Sequence, residues 1–160
     1  MTGPGGDTGG DTGGDTGRLG RGALVAFVRE HGDGVLSTVG PDGGPQAAYL
    51  ALAVTDDGVL VLDARASSRK VANLVGESRV AVVVGGRDGR TLQCEGVADV
   101  PEGAERERCA AAYRSAFPQF AGSLRDPGVV VVRVRLSWAR FGDYRSAPPM
   151  VREAAGSELS

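Results

Sequence analysis

The residues best suited to chemistry in this 160-residue chain form one run, Ser67-Ser68-Arg69-Lys70. Lys70 is the only lysine; every other cation among the 18 basic residues is an arginine. The run follows Val59-Leu60-Val61-Leu62, which reads as a strand, and opens Val71-Ala72-Asn73-Leu74, which reads as a helix. The start of a helix carries about half a positive charge, so each cation placed there costs roughly 0.3–1 kcal/mol. The placement becomes favourable when an anion docks at that end. Free backbone N–H groups, two serine hydroxyls, a guanidinium and an ammonium then converge on one phosphate.

Little else in the chain offers chemistry. No carboxylate pair, Ser-His-Asp set or Cys-His pair stands out, and His31 alone cannot anchor a hydrolytic mechanism. Cys94 falls in a strand and Cys109 in a helix, with no metal-type spacing between them; both read as buried free thiols. Glu95 reads as a cross-strand charge partner rather than a catalytic acid.

The elements that position the basic run follow from periodicity. Leu19, Ala23, Leu24, Phe27 and Val28 recur at helical spacing, which predicts a helix over 19–30 closed by His31-Gly32-Asp33-Gly34. A short strand, 35–39, leads through the turn Pro41-Asp42-Gly43-Gly44 into a long apolar strand over 45–54. Asp56-Asp57-Gly58 turns it back as a hairpin into Val59–Leu62. After the helix over 67–76, Arg79–Val84 is β-branched and is expected to be buried on both faces. Residues 91–100 alternate and predict a half-exposed strand, and a helix is expected from Pro101-Glu102 to about Ala116. Gly128–Leu136 predicts a further strand, with a last one near Ala139-Arg140-Phe141.

About seven strands in hairpin order and three helices make the chain mainly β, an α+β domain, and closure into a barrel would remove open edges. Residues 6–17 repeat Gly-Gly-Asp-Thr with nothing apolar to bury, so 1–17 is expected to be a disordered tail. The domain is expected over 18–147, and 148–160, proline-marked and polar, as a flexible C-terminal tail. A net charge of −2 with no basic stripe argues against nucleic acid. No run of about 18 apolar residues argues for a membrane span, and no apolar signal core is present; the cytoplasm is the expected compartment.

The order of these segments resembles the pyridoxamine 5′-phosphate oxidase-like flavoproteins. The members of the set are a strand, a Pro-Asp-Gly turn, a long apolar strand, an Asp-Asp-Gly turn, a strand, the Ser-Ser-Arg-Lys helix, Val80–Val84 and Leu92–Ala98. The ending Val132–Tyr144 is similar to that family's closing hairpin, and the likeness covers residues 22–145. It implies a split β-barrel of six to seven mostly antiparallel strands with two or three flanking helices. It also implies a homodimer with FMN in clefts between the subunits, and a small-molecule substrate not yet identified.

In such proteins the Ser-Arg-Lys segment grips the FMN phosphate, a role that falls on Ser68, Arg69 and Lys70. The strand carrying Ala48, Tyr49, Leu50 and Ala51 would lie along the flavin ring through backbone groups, although a tyrosine in an apolar strand, as Tyr49 is, is more often a core residue than a cofactor stacker. Ala64 stands where relatives often place a hydroxyl residue near the cofactor, and Gln93 lies on the strand that passes near the flavin. Trp138 reads as a packing residue at the dimer seam or barrel mouth. The implied activity is an FMN-dependent oxidoreductase. The alternatives are a deazaflavin-dependent reductase of the same fold, recruiting Arg65 and Arg79 for a longer anionic tail, or a flavin-binding module without turnover. A haem-handling relative would need His31 or a cysteine as axial ligand.

Departures from the resemblance concern the substrate. True pyridoxamine phosphate oxidases carry an R-x-V-L-L-K strand, but Ala48 and Ala53 occupy its Arg and Lys positions. Tyr113 and Pro118 fit the ends of a Y-F-x-x-R-P element, with Phe117 in the arginine's place, and Gly142-Asp143-Tyr144-Arg145 supplies no histidine for the terminal Arg-His pair. A substrate phosphate would lose most of its partners.

Overall fold

The computed structural model describes residues 16–159; most of the Gly-Asp-Thr repeat lies outside the described residues. The chain begins with strand β1 (Thr16–Arg18) and helix α1 (Arg21–His31), which buries Leu24, Val25, Phe27 and Val28. Gly32 ends α1 at φ 70°, a left-handed backbone that glycine adopts without a Cβ clash. Strand β2 (Asp33–Val39) then pairs antiparallel with β3 (Pro45–Ala51).

The apolar run expected as one strand over 45–54 is broken at Leu52. The Leu52 N–H donates instead to the Gly32 carbonyl at 2.9 Å, and Ala53–Val54 continues as β4. Breaking the ladder there lets the chain leave β2 and pair with β5 (Leu60–Arg65). Helix α2 (Arg69–Gly76) follows, then β6 (Arg79–Gly85), β7 (Arg90–Asp99) and helix α3 (Gly103–Ala116). Pro101 precedes the N-cap residue Glu102 rather than opening the first turn.

Strand β8 (Val129–Asp143) is one continuous strand of 15 residues where two were expected. One of its edges pairs with β7. The other is shared, with β5 along Val129–Val134 and β9 (Met150–Ala155) along Trp138–Asp143. A bulge between Glu95 and Gly96 absorbs the change of register. Gly96 is needed there, because a Cβ would collide with the Arg135 carbonyl. The ladder runs β1-β9-β8-β7-β6-β2-β3, with β5 joined to β8 and β4. Between β3 and β4 the circuit is completed by covalent chain, not by hydrogen bonds. This is a split barrel in an α+β fold, with its sheet not closed. All pairings are antiparallel except that of β1 with β9.

Three expectations need correction. Residues 148–160 are not simply a tail: β9 completes the edge of β8, and α4 (Gly156–Leu159) seats Leu159 in the core at 4% exposure. The tail pattern hid this because Ala154 and Leu159 are the only apolar anchors buried there. Thr16 and Gly17, assigned to the N-terminal tail, lie in β1. Strand β6 is buried on one face only: Val80, Val82 and Val84 point inward, while Val83 is 43% exposed.

The barrel core gathers aliphatic residues from β2, β5, β6, β7 and β8, with α1 against it. A second, smaller core lies under α3 and contains Ala53, Val61, Cys109, Tyr113, Phe117 and Val131. Cys94 and Cys109 are buried in different cores and are free thiols; burial pushes the Cys94 thiol up to about 12. No helix among the described residues is long and apolar enough to cross a membrane. Replacing Leu159 by Ala should cost about 2 kcal/mol in urea denaturation, the low end for a core leucine. An unchanged midpoint would return 148–160 to the status of a tail.

Candidate functional site

Strand β5 delivers the chain to a tight connection in which the Ala66 N–H bonds the Gly128 carbonyl and the Ser68 N–H bonds the Arg65 carbonyl, each at 2.9 Å. Ser68 is the N-cap residue of α2, extended at φ −73° and ψ 152°. Its hydroxyl makes no capping hydrogen bond, and its Oγ is buried without a partner among the described residues. The first turn of α2 holds Arg69 and Lys70 and no acidic residue. The initial N–H groups therefore lack a side-chain cap, and two cations are added to the positive end of the helix.

Most arginines here sit in ion pairs, including the two nearest alternatives. Arg65 bonds Asp126 at 2.7 Å, and Arg79 forks onto Glu77 at 2.7 and 3.0 Å. Arg79 and its backbone N–H hold the Glu77 carboxyl down to about 2. Arg69 and Lys70 have no acidic partner within 4.0 Å among the described residues. They line one side of a 290 Å³ cavity whose other walls are Leu36 and Thr38 of β2 and Gln46, Ala47 and Ala48 of β3. Strand β3 ends the ladder, so among the described residues backbone groups along its outer edge have no strand partner. Helix α2 is fastened to this floor by Asn73, its one buried residue, which bonds Thr38 at 2.9 Å and Gln46 at 3.0 Å.

The sequence-derived candidates divide. Ala48, Arg69 and Lys70 line the cavity, with Ser68 next in the chain. Leu50 packs on the barrel core, and Ala64, 7% exposed, belongs to it. Tyr49 is 71% exposed on the outer face of the sheet and is not a core residue. Gln93 is on that same outer face, opposite Val83 and Arg140 and separated from β3 by β6 and β2. Neither Ala64 nor Gln93 lines the cavity: Ala64 is packed in the barrel core on β5, and strand alternation turns Gln93 to the outer face. Thr38, Gln46 and Asn73 were missed. They are ordinary polar residues in their segments, and only the approach of α2 to β2 and β3 brings them together.

A larger cleft of 750 Å³ separates α1 from α3 and is lined by Ala53, Phe117 and the β4–β5 turn. Its two arginines are already neutralised, Arg29 by Asp56 at 2.5 Å and Arg108 by Asp57 at 2.8 Å. It therefore offers no unpaired cation to an anion. The Tyr113 hydroxyl donates to Asp63 at 2.9 Å, Ser123 donates to the same carboxylate at 2.6 Å, and Phe117 packs beside Tyr113 in the smaller core. His31 is stacked on Phe27 with its Nδ1 3.0 Å from the Phe27 carbonyl. Arg133 and Arg135 are tied to Asp99 at 2.7 and 2.9 Å.

The family model described as "Pyridoxamine 5′-phosphate oxidase" matches residues 21–142. The chain belongs to this family. Solved structures of the pyridoxamine 5′-phosphate oxidase-like fold agree with the assignment. A haem-binding protein from Mycobacterium smegmatis superposes with a TM-score of 0.74 at 19% identity, covering 89% of this chain and 60% of its own. This chain thus spans about three-fifths of that relative's length. A conserved hypothetical protein from Mycobacterium tuberculosis has a TM-score of 0.62 at 25% identity, covering 88% of both chains. General stress protein 26 from Bacillus anthracis has a TM-score of 0.61 at 22% identity, covering 76% of this chain and 92% of its own. No curated protein matches the sequence.

Burial, reinforced by Asp63, pushes the Tyr113 hydroxyl well above its ordinary value of 10. The fold thus favours the neutral phenol. This contribution is complete below about pH 10 and is lost as pH rises beyond it. Tyr113→Phe should lower stability by about 1 kcal/mol at pH 8 and flatten the decline that sets in above about pH 10. Parallel urea midpoints for both proteins across that range would contradict the assignment.

Proposed function

We propose that this family member binds FMN with its phosphate at the first turn of α2 and acts as a flavin-dependent oxidoreductase. The observation that carries the reading is the pair Arg69 and Lys70, free of acidic partners among the described residues, over a 290 Å³ cavity and beside the Ser68 hydroxyl, which is orphaned among them too. A phosphate monoester dianion satisfies all of these groups at once. The unpaired outer edge of β3 supplies backbone donors and acceptors beside the same cavity for a planar heterocycle. Bound FMN would supply hydride or electron transfer, and the protein's own part is to hold the phosphate and orient the ring.

The charge arrangement favours FMN over a deazaflavin with a longer anionic tail, because Arg65 and Arg79 are committed to Asp126 and Glu77. Haem is less well served: His31 is engaged with Phe27, and both cysteines are buried. The substrate is one without a phosphate. Ala48, Ala53 and Phe117 stand where the resemblance requires cations, and the Tyr113 hydroxyl is used by Asp63.

The active form in this reading is a homodimer. The outer face of the sheet presents Tyr49, Val83 and Val97 at 71%, 43% and 37% exposure, with a half-buried Trp138 opposite Glu95. A second copy would cover these groups and wall the cleft.

Flavin titration tests the phosphate grip. Arg69→Ala and Lys70→Ala should each weaken FMN binding by about 1–3 kcal/mol and leave riboflavin, which lacks the phosphate, nearly unchanged. Unaltered FMN curves for both variants would refute the role. Steady turnover of pyridoxamine 5′-phosphate would refute the substrate assignment.

A further inference from the structure

Thr38 is 3% exposed, yet it lines the cavity together with Arg69 and Lys70. Its Oγ1 accepts a hydrogen bond from Asn73 Nδ2 at 2.9 Å, and the same nitrogen donates to Gln46 Oε1 at 3.0 Å. A hydroxyl has one proton to donate and two lone pairs to accept with, whereas an amide nitrogen only donates. The bond from Asn73 therefore occupies a lone pair and leaves the Thr38 proton to point elsewhere. Among the described residues no acceptor takes that proton. A buried hydroxyl proton with no acceptor is costly, and the cost disappears when a bound group brings an acceptor oxygen.

We infer that Thr38 is a ligand-contacting residue that donates its hydroxyl proton to an anionic oxygen in this cavity, and that Asn73 is a positioning residue that fixes this donor polarity. Asn73 acts through two bonds at once. It turns the Thr38 hydroxyl toward the cavity, and by holding β2 and β3 together it sets the distance from that floor to the cationic turn. The cavity then offers three donors matched to an acceptor, a guanidinium, an ammonium and one neutral hydroxyl, while the oxygen of the fourth polar lining group, the Gln46 amide, is engaged by Asn73. Thr38 adds what the cations lack, a short directional donor held by a strand. The inference rests on the proposed phosphate site and names the oxygen's owner as the phosphate monoester of FMN.

The test compares FMN and riboflavin affinities, by quenching of flavin fluorescence, for the wild-type protein and for Thr38→Val, Thr38→Ser and Asn73→Asp. Valine keeps the shape of threonine without the hydroxyl. Aspartate keeps the shape of asparagine but accepts the Thr38 proton instead of donating to its oxygen. Thr38→Val should lose about tenfold in FMN affinity with riboflavin unchanged, and Thr38→Ser should restore most of it. Asn73→Asp should lose more than tenfold, again selectively, because it also sets a negative charge near the phosphate. Equal losses for both flavins, or none in Thr38→Val, would overturn the roles of Thr38 and Asn73 while leaving the cationic site standing. A wild-type protein that does not prefer FMN to riboflavin would overturn both. Should Asn73→Asp fail to fold, the valine and serine variants decide between these outcomes.

Discussion

Two positive charges at the positive end of a helix repel the helix they begin. In this protein that repulsion is left uncompensated by any acidic neighbour among the described residues, although arginines nearby in sequence are neutralised. The fold spends considerable structure on holding the unfavourable turn in place. Strand β5, held on one side by β8 and on the other by β4, brings the chain to the turn. Asn73, one helical turn further on, binds the helix to β2 and β3 through two hydrogen bonds. A surface helix with no such duty would gain stability by placing an acid at its start, and this one carries none there.

The split in the barrel and the position of the cleft are linked. Because β3 does not continue its ladder into β4, the sheet keeps an open edge at Pro45–Ala51. An open edge is ordinarily a liability, since unpaired backbone groups invite another strand. Here the edge lies against the cationic turn, so the same break that prevents closure creates a cavity wall of backbone and small side chains. Ala47 and Ala48 leave room where longer side chains would fill it. The break itself depends on Leu52 bonding back to Gly32, a residue whose left-handed backbone ends α1.

Much of this was legible in the sequence because it is local. The helix at 21–31, the turns, the strand alternation of β7 and the anomalous cations of α2 are readable from neighbouring residues alone. What was not legible depends on what lies across from a segment. The apolar run around Tyr49 reads as core, yet β3 is an edge strand and leaves it 71% exposed. The β-branched run of β6 looked buried on both faces, because valines read alike whether they meet a core or an uncovered sheet face. Met150–Leu159 resembled a tail because one strand and a single leucine carry little pattern, and its order comes from the vacant half-edge of β8. Thr38, Gln46 and Asn73 lie in three segments and become one network only through folding.

The central claim is that one cationic turn with its donor floor selects a flavin carrying a single phosphate. Its most direct test is a competition. Protein freed of bound chromophore is mixed with equal amounts of FMN, riboflavin, a deazaflavin with an extended anionic tail, and haem. It is then separated by gel filtration, and the retained molecule is identified by mass spectrometry. The account predicts that FMN is retained in preference to the other three. Retention of riboflavin to the same extent as FMN, of the deazaflavin or haem instead, or of none of the four would contradict it.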